Sequence, residues 1–343
     1  MFQDKLKGRT IALIGGAGFI GHNLALALKQ YGAEPHVIDG LQVNNLGAFT
    51  NSGNDPNKTL YVNFIFERMK LLREAGIPLH VLDARDYHAL SRCLSEIKAD
   101  CYVQLAAIAH ANRSNKDPYS TFDHSFRTLE NALDTARDQD VHFIYFSSSM
   151  VYGNFDGEAA VEERHCEPMG IYGALKYGGE KLVIAHNQVF KTPYTIVRPS
   201  ALYGERCVSR RVGQAFIENA LRGMRLTVNG DGNDALDFTY IDDLVQGVLR
   251  TIALPEARNQ TFNLTYGSAR MLNQMIELMK QAFPNIEVVH NPRDGLMPDR
   301  GTLSVDKAKR LIGYEPQYPL EKGFPRYIAW YKQMAAEHPD HFG

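Results

Sequence analysis

Short apolar runs alternate with helical patterns along the first two hundred residues of this chain. The runs are TIALIG (10–15), EPHVID (34–39), IPLHVLD (77–83), CYVQLAA (101–107), VHFIYFSS (141–148) and YTIVRPS (194–200). Helical patterns lie between most of them, as in GHNLALALKQYG after the first run and DYHALSRCLSEI after the third. Strands that alternate with helices are typical of a parallel sheet covered by helices on both faces. We therefore predict an α/β fold with a doubly wound parallel sheet.

Composition and charge show no general preference for a large partner. The 343 residues include 37 Lys and Arg against 39 Asp and Glu, and the formal net charge is −2. This balance gives no bias toward nucleic acid or a membrane surface, so we expect neither as a partner. No segment is long enough to cross a bilayer, and the N-terminus has the pattern of a strand rather than a signal peptide. We therefore expect a cytoplasmic protein.

Metal chemistry is not expected either. The cysteines at 93, 101, 166 and 207 form no CxxC pair and no disulfide framework. His165 and Cys166 are adjacent but have no partners at ligand spacing, which favours a loop without metal. Any ligand therefore has to be found through local motifs.

A glycine-rich turn follows the first predicted strand and opens a helix. In GGAGFIG the spacing is Gly15-x-x-Gly18-x-x-Gly21, with Phe19 and Ile20 at the start of the helix. Glycine permits a tight turn and lets main-chain amides approach a pyrophosphate, whose charge is favoured at a helix N-terminus. Glycines at such turns also serve packing alone, but the place between strand and helix favours a dinucleotide site of the Rossmann type.

Acidic residues end the next two predicted strands. Asp39, followed by Gly40, can accept hydrogen bonds from both ribose hydroxyls and would repel a 2′-phosphate, which favours NAD over NADP. Asp83, followed by Ala84 in DARD, can contact the adenine or, as an alternative, cap the next helix. We predict NAD as the cofactor.

Hydroxyl groups follow the fifth apolar run, and a tyrosine and a lysine come after them on a helix. Ser147 and Ser148 in SSSMVYG are delivered to the carboxyl edge of the sheet, where ligands of such folds bind. Tyr172 and Lys176 in IYGALKYGGEK are four residues apart, which places both on one helix face. Because a nearby ammonium lowers the pKa of a phenol, we expect Lys176 to make Tyr172 usable as a base near neutral pH.

These motifs together resemble the extended short-chain dehydrogenase/reductase family, in its nucleotide-sugar epimerase/dehydratase branch. The resemblance rests on TIALIGGAGFIG, LAA (105–107), SSSMVYG, YGALK and FTYIDDL, and it extends to DKAKRLIGYEPQYPLEKGF near the C-terminus. It implies an enzyme that keeps NAD bound and oxidises a ring hydroxyl of a nucleotide sugar, often at carbon 4. The hydride then returns on the other face, as in an epimerase, or stays on the cofactor, as in a dehydrogenase. Both outcomes stay open at this stage.

The resemblance also implies roles for individual residues. Tyr172 would be the catalytic base, Lys176 would bind the nicotinamide ribose, and Ser148 would hydrogen-bond the sugar hydroxyl being oxidised. Pro199 would lie near the nicotinamide. The complete set of predicted cofactor residues is Gly15, Gly18, Phe19, Ile20, Gly21, Asp39, Gly40, Asp83, Ala84, Leu105, Ala106, Ala107, Ser147, Tyr172, Lys176 and Pro199.

The two residues after Ser148 separate the reaction types within this branch. Dehydratases of the branch carry Asp-Glu there and decarboxylases keep a glutamate at the second place, whereas this chain has Ser149 and Met150. A thioether neither donates nor abstracts a proton, so dehydration and decarboxylation of the usual kind are disfavoured. Epimerisation and simple oxidation are left.

Departures from the family pattern concern the substrate. The family's Arg-x-x-Asn after the sixth strand is RPSA (198–201) here, and the arginine that usually grips the diphosphate is Leu236. The diphosphate then needs other cations, and the candidates are Arg206, Arg210, Arg211 and Arg300. Each of them suits a solvated surface equally well, and we favour Arg300. The predicted substrate residues are His110, Ser149, Met150, Ser200, Arg206, Arg211 and Arg300, with Arg210 and Asn112 as further candidates and a structural role as the alternative for His110.

The pattern of the chain changes after residue 200, where proline is frequent and segments are shorter. We predict an NAD-binding Rossmann domain over 1–198, completed by about 239–264. A smaller substrate domain would comprise 199–238 and 265–343.

A long connection, 41–76, separates Asp39 from the third run. Its first part is rich in Asn and Gly, and its second part has the pattern of an amphipathic helix with Phe66, Met69, Leu71 and Leu72 on the apolar face. Loops this long are usually functional or mobile, so the connection is either a crossover helix with a loose lead or a cover for the cofactor.

Two predicted helices, 126–138 and 172–190, carry apolar faces. Family members pair such helices in a four-helix dimer core, so the resemblance implies a homodimer. The faces consist of Phe126, Leu129, Leu133 and Ala136 on the first helix and Leu175, Leu182, Val183 and Val189 on the second.

Two other functions are alternatives to a nucleotide-sugar enzyme. A dehydrogenase of another extended branch, acting on another alcohol or carbonyl substrate, is disfavoured by the NGDG and GYEP segments of the second domain. A non-catalytic dinucleotide sensor is disfavoured because Tyr172 and Lys176 are both present.

Overall fold

Seven parallel strands form the central sheet of the structure, a computed structural model that describes residues 2–50, 56–109, 111–293, 295 and 297–342. In chain order, the strands are β1 (Thr10–Ile14), β2 (Glu34–Asp39), β3 (Leu79–Val81), β4 (Cys101–Gln104), β5 (His142–Phe146), β6 (Tyr194–Arg198), β7 (Leu202–Tyr203), β8 (Leu226–Asn229), β9 (Ala235–Leu236), β10 (Thr239–Tyr240), β11 (Gln260–Asn263), β12 (Arg270–Met271) and β13 (Val288–Asn291).

The helices follow most of these strands. They are α1 (Phe19–Gln30), α2 (Leu46–Thr50), α3 (Lys58–Glu74), α4 (Tyr87–Ile97), α5 (Ala111–Lys116), α6 (Pro118–Phe122), α7 (Thr128–Ala136), α8 (Gly170–Phe190), α9 (Val212–Leu221), α10 (Ile241–Ala253), α11 (Leu272–Ala282), α12 (Asp306–Ile312) and α13 (Leu320–Glu337). A π-helical stretch, Asp123–Arg127, joins α6 to α7, and a single 3₁₀ turn, Ser149–Val151, follows β5.

The strand order of the central sheet is β11-β6-β5-β4-β1-β2-β3, and every neighbouring pair is parallel. The order reverses between β1 and β4, because the chain builds outward from β1 in one direction and from β4 in the other. This arrangement confirms the predicted doubly wound α/β fold. Ligands of such sheets bind outside the carboxyl ends of the strands at the reversal.

The central strands are apolar on both faces because helices cover both. Side chains alternate along a strand, so Ile11 and Leu13 of β1 pack with α1 and α10. Ala12 and Ile14 point the other way and pack with α4, α7 and α8. The near-continuous apolar runs in the sequence thus reflect a parallel sheet buried between two helical layers.

The C-terminal part of the chain supplies β11, an edge strand of the central sheet, and most of the short strands outside it. After α10, β11 pairs in parallel with β6. Elsewhere in this part, β7 pairs with β10, β8 with β13 and β9 with β12. One buried cluster extends from the face of the sheet to Phe324 and Tyr331 of α13, so both parts of the chain share a core. The predicted domain boundaries stay a prediction.

The second half of the 41–76 connection is a helix, α3, preceded by the short α2. Phe64 of α3 packs on Trp330 and Tyr331 of α13, with ring centroids 5.0 and 5.8 Å away. Phe66, which we placed on the apolar face, is instead 55% exposed, since two helical steps turn it about 200° away from Phe64. Arg68, one turn after Phe64, is fully buried on the inner face.

The apolar helix faces predicted for a dimer are largely used inside the protein. Leu129, Leu133 and Ala136 of α7 are buried against the sheet, as is Val183 of α8. Those residues cannot form an interface, because the two helices need them to cover the sheet. Val189 remains 68% exposed at the end of α8. Within the described residues, no helix combines the length and the apolar sequence needed to span a membrane.

Candidate active site

A cavity of about 460 Å³ lies between the carboxyl ends of the central strands and the C-terminal part of the chain. Its size suits a small-molecule ligand. Ser148 after β5, Tyr172 and Lys176 of α8, and Arg300 from the C-terminal part all line it. We call it the substrate cavity.

A second cavity of about 160 Å³, the dinucleotide cavity, lies over the glycine turn and shares Ile20, Leu105, Ala107 and Arg211 with the first. The two cavities therefore adjoin one another, so one ligand can extend from the glycine turn toward Ser148 and Tyr172. Of the predicted cofactor residues, the dinucleotide cavity is lined by Gly15, Gly18, Phe19, Ile20, Gly21, Asp39, Gly40, Asp83, Ala84, Leu105, Ala106 and Ala107, and the substrate cavity by Ser147, Tyr172, Lys176 and Pro199.

The glycine turn is so narrow that a side chain at Gly15 or Gly21 would collide with the main chain. Gly15 has a φ of +83°, and a Cβ atom there would lie 2.5 Å from the amide nitrogen of Ala106. A Cβ atom on Gly21 would lie 2.4 Å from the carbonyl oxygen of Gly16. The turn therefore brings bare main chain to the N-terminus of α1, which fits the pyrophosphate of a dinucleotide.

Asp39 lies at the end of β2 with its carboxylate held by main-chain amides. One oxygen accepts from the amide of Ala17 at 3.0 Å and the other from the amide of Leu41 at 2.7 Å. Burial raises the pKa of Asp39, while these two hydrogen bonds and the nearby charge of Arg68 oppose that rise. Each oxygen keeps a further lone pair for a ribose hydroxyl.

Asp83 is engaged by Arg85 rather than by a helix. The Arg85 guanidinium donates to its carboxylate at 2.6 Å, and Gln42 donates at 3.1 Å. The hydrogen bond from Arg85 lowers the pKa of Asp83 to about 2. The cap of α4 is Asp86, whose carboxylate accepts from the amide of Ala89 at 3.0 Å. The capping alternative for Asp83 is therefore wrong.

Ser148, Tyr172 and Lys176 meet where β5 ends beside α8. The hydroxyl of Ser148 accepts from the amide of Met150 at 3.2 Å, and Ser148 and Tyr172 both line the substrate cavity. One helical turn after Tyr172, Lys176 is 6% exposed, and its Nζ donates to the carbonyl oxygen of Phe146 at 2.6 Å. The three groups predicted from separate motifs thus form one cluster.

The electrostatics of Tyr172 differ from our expectation. Burial raises the pKa of Tyr172, and the groups that oppose the rise are Arg211 and the hydrogen bond from Ser148. Lys176 is not among the groups that oppose the rise, and its Nζ donates to the carbonyl of Phe146. Burial lowers the pKa of Lys176 itself to about 8, against the opposing charge of Glu180.

Most of the predicted substrate residues do line the substrate cavity. They are Ser149, Met150, Ser200, Arg211 and Arg300, together with Asn112 and Arg210. Met150 is 7% exposed, so it presents an apolar surface directly beside Ser148. His110 lies outside the described residues.

Arg206 is the exception among the predicted substrate residues. It lines neither cavity, because its guanidinium donates to His22 at 3.2 Å and pairs with Glu67 at 3.2 Å. The left-handed backbone at Arg206, with a φ of +62°, turns the side chain toward α1 and α3. The prediction that Arg206 binds the substrate is therefore wrong.

Arg211 and Arg300, two of the predicted substrate residues, bring positive charge to the substrate cavity. Within the described part of the chain, neither Arg211 nor Arg300 forms an ion pair; Arg211 donates to the carbonyl of Ala109 at 3.2 Å. Burial, with the charge of Arg211, lowers the pKa of Arg300 to about 10, so it is a cation at neutral pH.

Sequence reasoning missed two arginines that line the cavities. Arg293 lines the substrate cavity, where it pairs with Asp234 at 3.0 Å, and Arg68 lines the dinucleotide cavity. Arg293 follows β13 in a loop without any motif. Arg68 sits in a helix whose apolar pattern gave no sign of a buried charge, so neither residue had a signal in the sequence.

A model of the family described as NAD dependent epimerase/dehydratase matches residues 11–265, which is most of the chain. The chain belongs to this family. The match confirms both the resemblance and the predicted NAD cofactor, and the glycine turn with its clashing Cβ positions fits that cofactor. The family includes both epimerases and dehydratases, so membership alone does not choose between these reactions.

Relatives of both kinds are found. The chain is 27% identical to a putative UDP-glucose 4-epimerase from Methanocaldococcus jannaschii over 94% of its length and 98% of that protein. It is 28% identical to dTDP-D-glucose 4,6-dehydratase from Dictyostelium discoideum over 71% of its length and 55% of that protein. The solved structure of UDP-glucuronic acid 4-epimerase from Bacillus cereus in complex with UDP-glucuronic acid and NAD has a TM-score of 0.83, with 23% identity, covering 95% of this chain and 99% of that one.

Proposed function

We propose that this member of the family is a nucleotide-sugar 4-epimerase, which inverts a ring carbon by oxidation and reduction. The observation that carries the proposal is the cluster of Ser148, Tyr172 and Lys176, which lines the substrate cavity beside the dinucleotide cavity. The Methanocaldococcus relative with the name of a 4-epimerase, aligned over nearly the whole chain, supports it.

The residues of the cluster then have separate tasks. Ser148 holds the hydroxyl at carbon 4 of the sugar, and Tyr172 takes the proton from that oxygen. NAD, when bound, accepts the hydride from carbon 4. Lys176, fixed on the carbonyl of Phe146, would hold the nicotinamide ribose. After the 4-keto sugar had presented its opposite face and been reduced there, Tyr172 would return the proton to the oxygen and carbon 4 would be inverted.

The lining of the substrate cavity disfavours dehydration. An elimination needs an acid and a base beside Ser148, and Ser149 and Met150 occupy those places. Among the described residues that line the cavity, the carboxylate is Asp234, which pairs with Arg293. Glu158, Glu162 and Glu163, which follow in the next loop, lie outside the described lining.

Release of the oxidised sugar is the second candidate outcome. A dehydrogenase would use the same cluster and differ only in what happens to the hydride. Mass spectrometry of the product separates the reactions: an unchanged mass indicates epimerisation, a loss of about two mass units oxidation, and a loss of about eighteen dehydration. We expect the unchanged mass with any accepted hexose nucleotide, and a loss of about eighteen would contradict the proposal.

Tyr172→Phe tests the base directly. The variant should keep NAD bound and lose turnover by about a hundredfold or more, because the ring remains but the transferable proton is gone. Tyr177→Phe is the matched control, since Tyr177 lies on the same helix, contacts Lys181 and does not line the substrate cavity. Equal turnover of the two variants would remove Tyr172 from the mechanism.

We further infer a homodimer that resides in the cytoplasm. Exposed apolar side chains on α6 and α8 support the dimer: Phe122 is 48% exposed, Val189 68% and Phe190 43%. They lie outside the faces that cover the sheet, so an interface there leaves the core intact.

A further inference from the structure

A buried ion pair lies directly behind the catalytic cluster and has no role in the chemistry described so far. Glu180 of α8 is 2% exposed and Arg198 at the end of β6 is 5% exposed. The guanidinium meets the carboxylate as a two-pronged fork, with Nε 2.8 Å from one oxygen and Nη2 2.7 Å from the other. Such charge-assisted pairs hold a fixed relative orientation.

The same carboxylate reaches the end of β5. The hydroxyl of Ser147 donates to Oε1 of Glu180, so one side chain connects β5, β6 and α8. Ser147 directly precedes Ser148 and directly follows Phe146, whose carbonyl receives the ammonium of Lys176. The partner of Glu180 at the end of β5 is therefore the chain neighbour both of Ser148 and of the residue that holds Lys176.

The far side of Arg198 is also fully engaged. Its Nη1 donates to the hydroxyl of Tyr152 at 2.9 Å and to the carbonyl of Glu162 at 3.0 Å. The Tyr152 hydroxyl in turn donates to Asn263 at 2.7 Å. Burying such a pair costs desolvation, and an apolar pair of similar shape is often as stable. Stability alone therefore does not account for these charges.

We propose that Glu180 is a positioning residue, which fixes the end of β5 and thereby places Ser148 and Lys176 for the reaction. The proposal rests on the catalytic roles assigned above. It attributes to the carboxylate two separable effects: the hydrogen bond from Ser147 fixes the geometry, and the negative charge favours the ammonium of Lys176.

The charged surroundings of Lys176 show how the second effect arises. Glu180 and Tyr172 face it from α8, and Tyr145 of β5 places its ring 5.1 Å from the ammonium. Arg198 of β6 lies behind the Glu180 carboxylate. Among the described residues, Glu180 is the charge that acts on Lys176 against the effect of burial.

The test is a direct titration of Lys176 in protein labelled with ¹³C at lysine Cε, followed by NMR. The signal is assigned by its loss in Lys176→Met. In Glu180→Gln the midpoint should fall by about one pH unit, as expected for loss of one nearby unit charge in a protein interior. Turnover should fall about tenfold or more while NAD stays bound.

Glu162→Gln is the matched control. Glu162 is also a buried glutamate of this network, and its carboxylate accepts from the amide of Asn263 at 2.8 Å. The same chemical change there should leave the Lys176 midpoint in place, because the effect depends on the position of the charge.

Glu180→Gln leaves the charge of Arg198 without its partner, which endangers folding. Glu180→Gln/Arg198→Met removes both charges, and its Lys176 midpoint should still lie below that of the wild type. A folded variant without Glu180 that keeps the wild-type midpoint and turnover would overturn the proposal. Because the titration needs no substrate, its result is independent of whether the product is an epimer or a ketone.

Discussion

Lys176 and Phe146 are joined by a hydrogen bond of 2.6 Å between the ammonium and the main-chain carbonyl oxygen. The bond ties the middle of α8 to the last residue of β5, one position before the serines that end the strand. The ammonium is thereby directed toward the end of β5, and Lys176 is not among the groups that oppose the raised pKa of Tyr172.

The pH dependence of turnover follows from this burial. Burial lowers the pKa of Lys176 to about 8, so its proton is lost as the pH rises through that value. We expect turnover to fall above about pH 8, and Lys176→Arg, at reduced rate, to extend activity to higher pH because guanidinium keeps its proton. An unchanged alkaline fall in Lys176→Arg would assign it to another group.

The same shift predicts a stability effect with a defined sign. The pKa of Lys176 is lower in the folded protein than its ordinary value of 10.5, so burying the ammonium costs stability below about pH 8. That cost should decrease between pH 8 and 10.5. Lys176→Met does not bear this cost. The difference in free energy of unfolding between the wild type and Lys176→Met, measured with urea, should therefore narrow as the pH rises over this range.

Asp39 should make NAD preferred over NADP by about tenfold or more, since one charge clash with a 2′-phosphate is worth about 1.4 kcal/mol or more. Asp39→Asn should narrow the ratio, and calorimetry with both cofactors measures it. Because burial raises the pKa of Asp39, the wild-type preference should also weaken in acid. Equal affinities in the wild type would show that Asp39 does not face the ribose.

Substitutions of Arg300 and Arg206 should have different effects on substrate affinity. Arg300→Met should raise KM for a nucleotide sugar about tenfold or more at similar kcat, because the diphosphate loses a charged hydrogen-bond donor. Arg206→Met should leave KM unchanged and lower the melting temperature, since its partners are His22 and Glu67. A raised KM in Arg206→Met alone would restore the assignment that the structure contradicts.

Val189→Glu should dissociate the proposed dimer, because a charge in an apolar interface has no partner there. Val81→Glu is the control, as Val81 is 64% exposed on the edge strand β3, away from α8. Light scattering at micromolar concentration gives the outcome. A monomeric wild type would contradict the proposed assembly.

Much of the scaffold could be predicted from the sequence, because its signals are local. Strands of a parallel sheet that is covered on both faces are typically continuous apolar runs. All six runs in the first two hundred residues are indeed strands of the central sheet. The narrow turn at Gly15 and Gly21 admits no side chain, so glycine had to appear at that spacing. The four-residue interval between Tyr172 and Lys176 fixed their common helix face in the same way.

Tertiary structure decided what depends on residues far apart in the chain. Arg206 and Arg300 are the same residue type, and nothing in the sequence separates their roles. The backbone at Arg206 directs its side chain to α1 and α3, whereas Arg300 lines the substrate cavity. Phe66 and Leu133 are both apolar helix residues, yet packing exposes the first and buries the second. A sequence determines which side chains exist and how often they recur along an element; only the packed elements determine which charges and faces meet, because those contacts join positions that no local period connects.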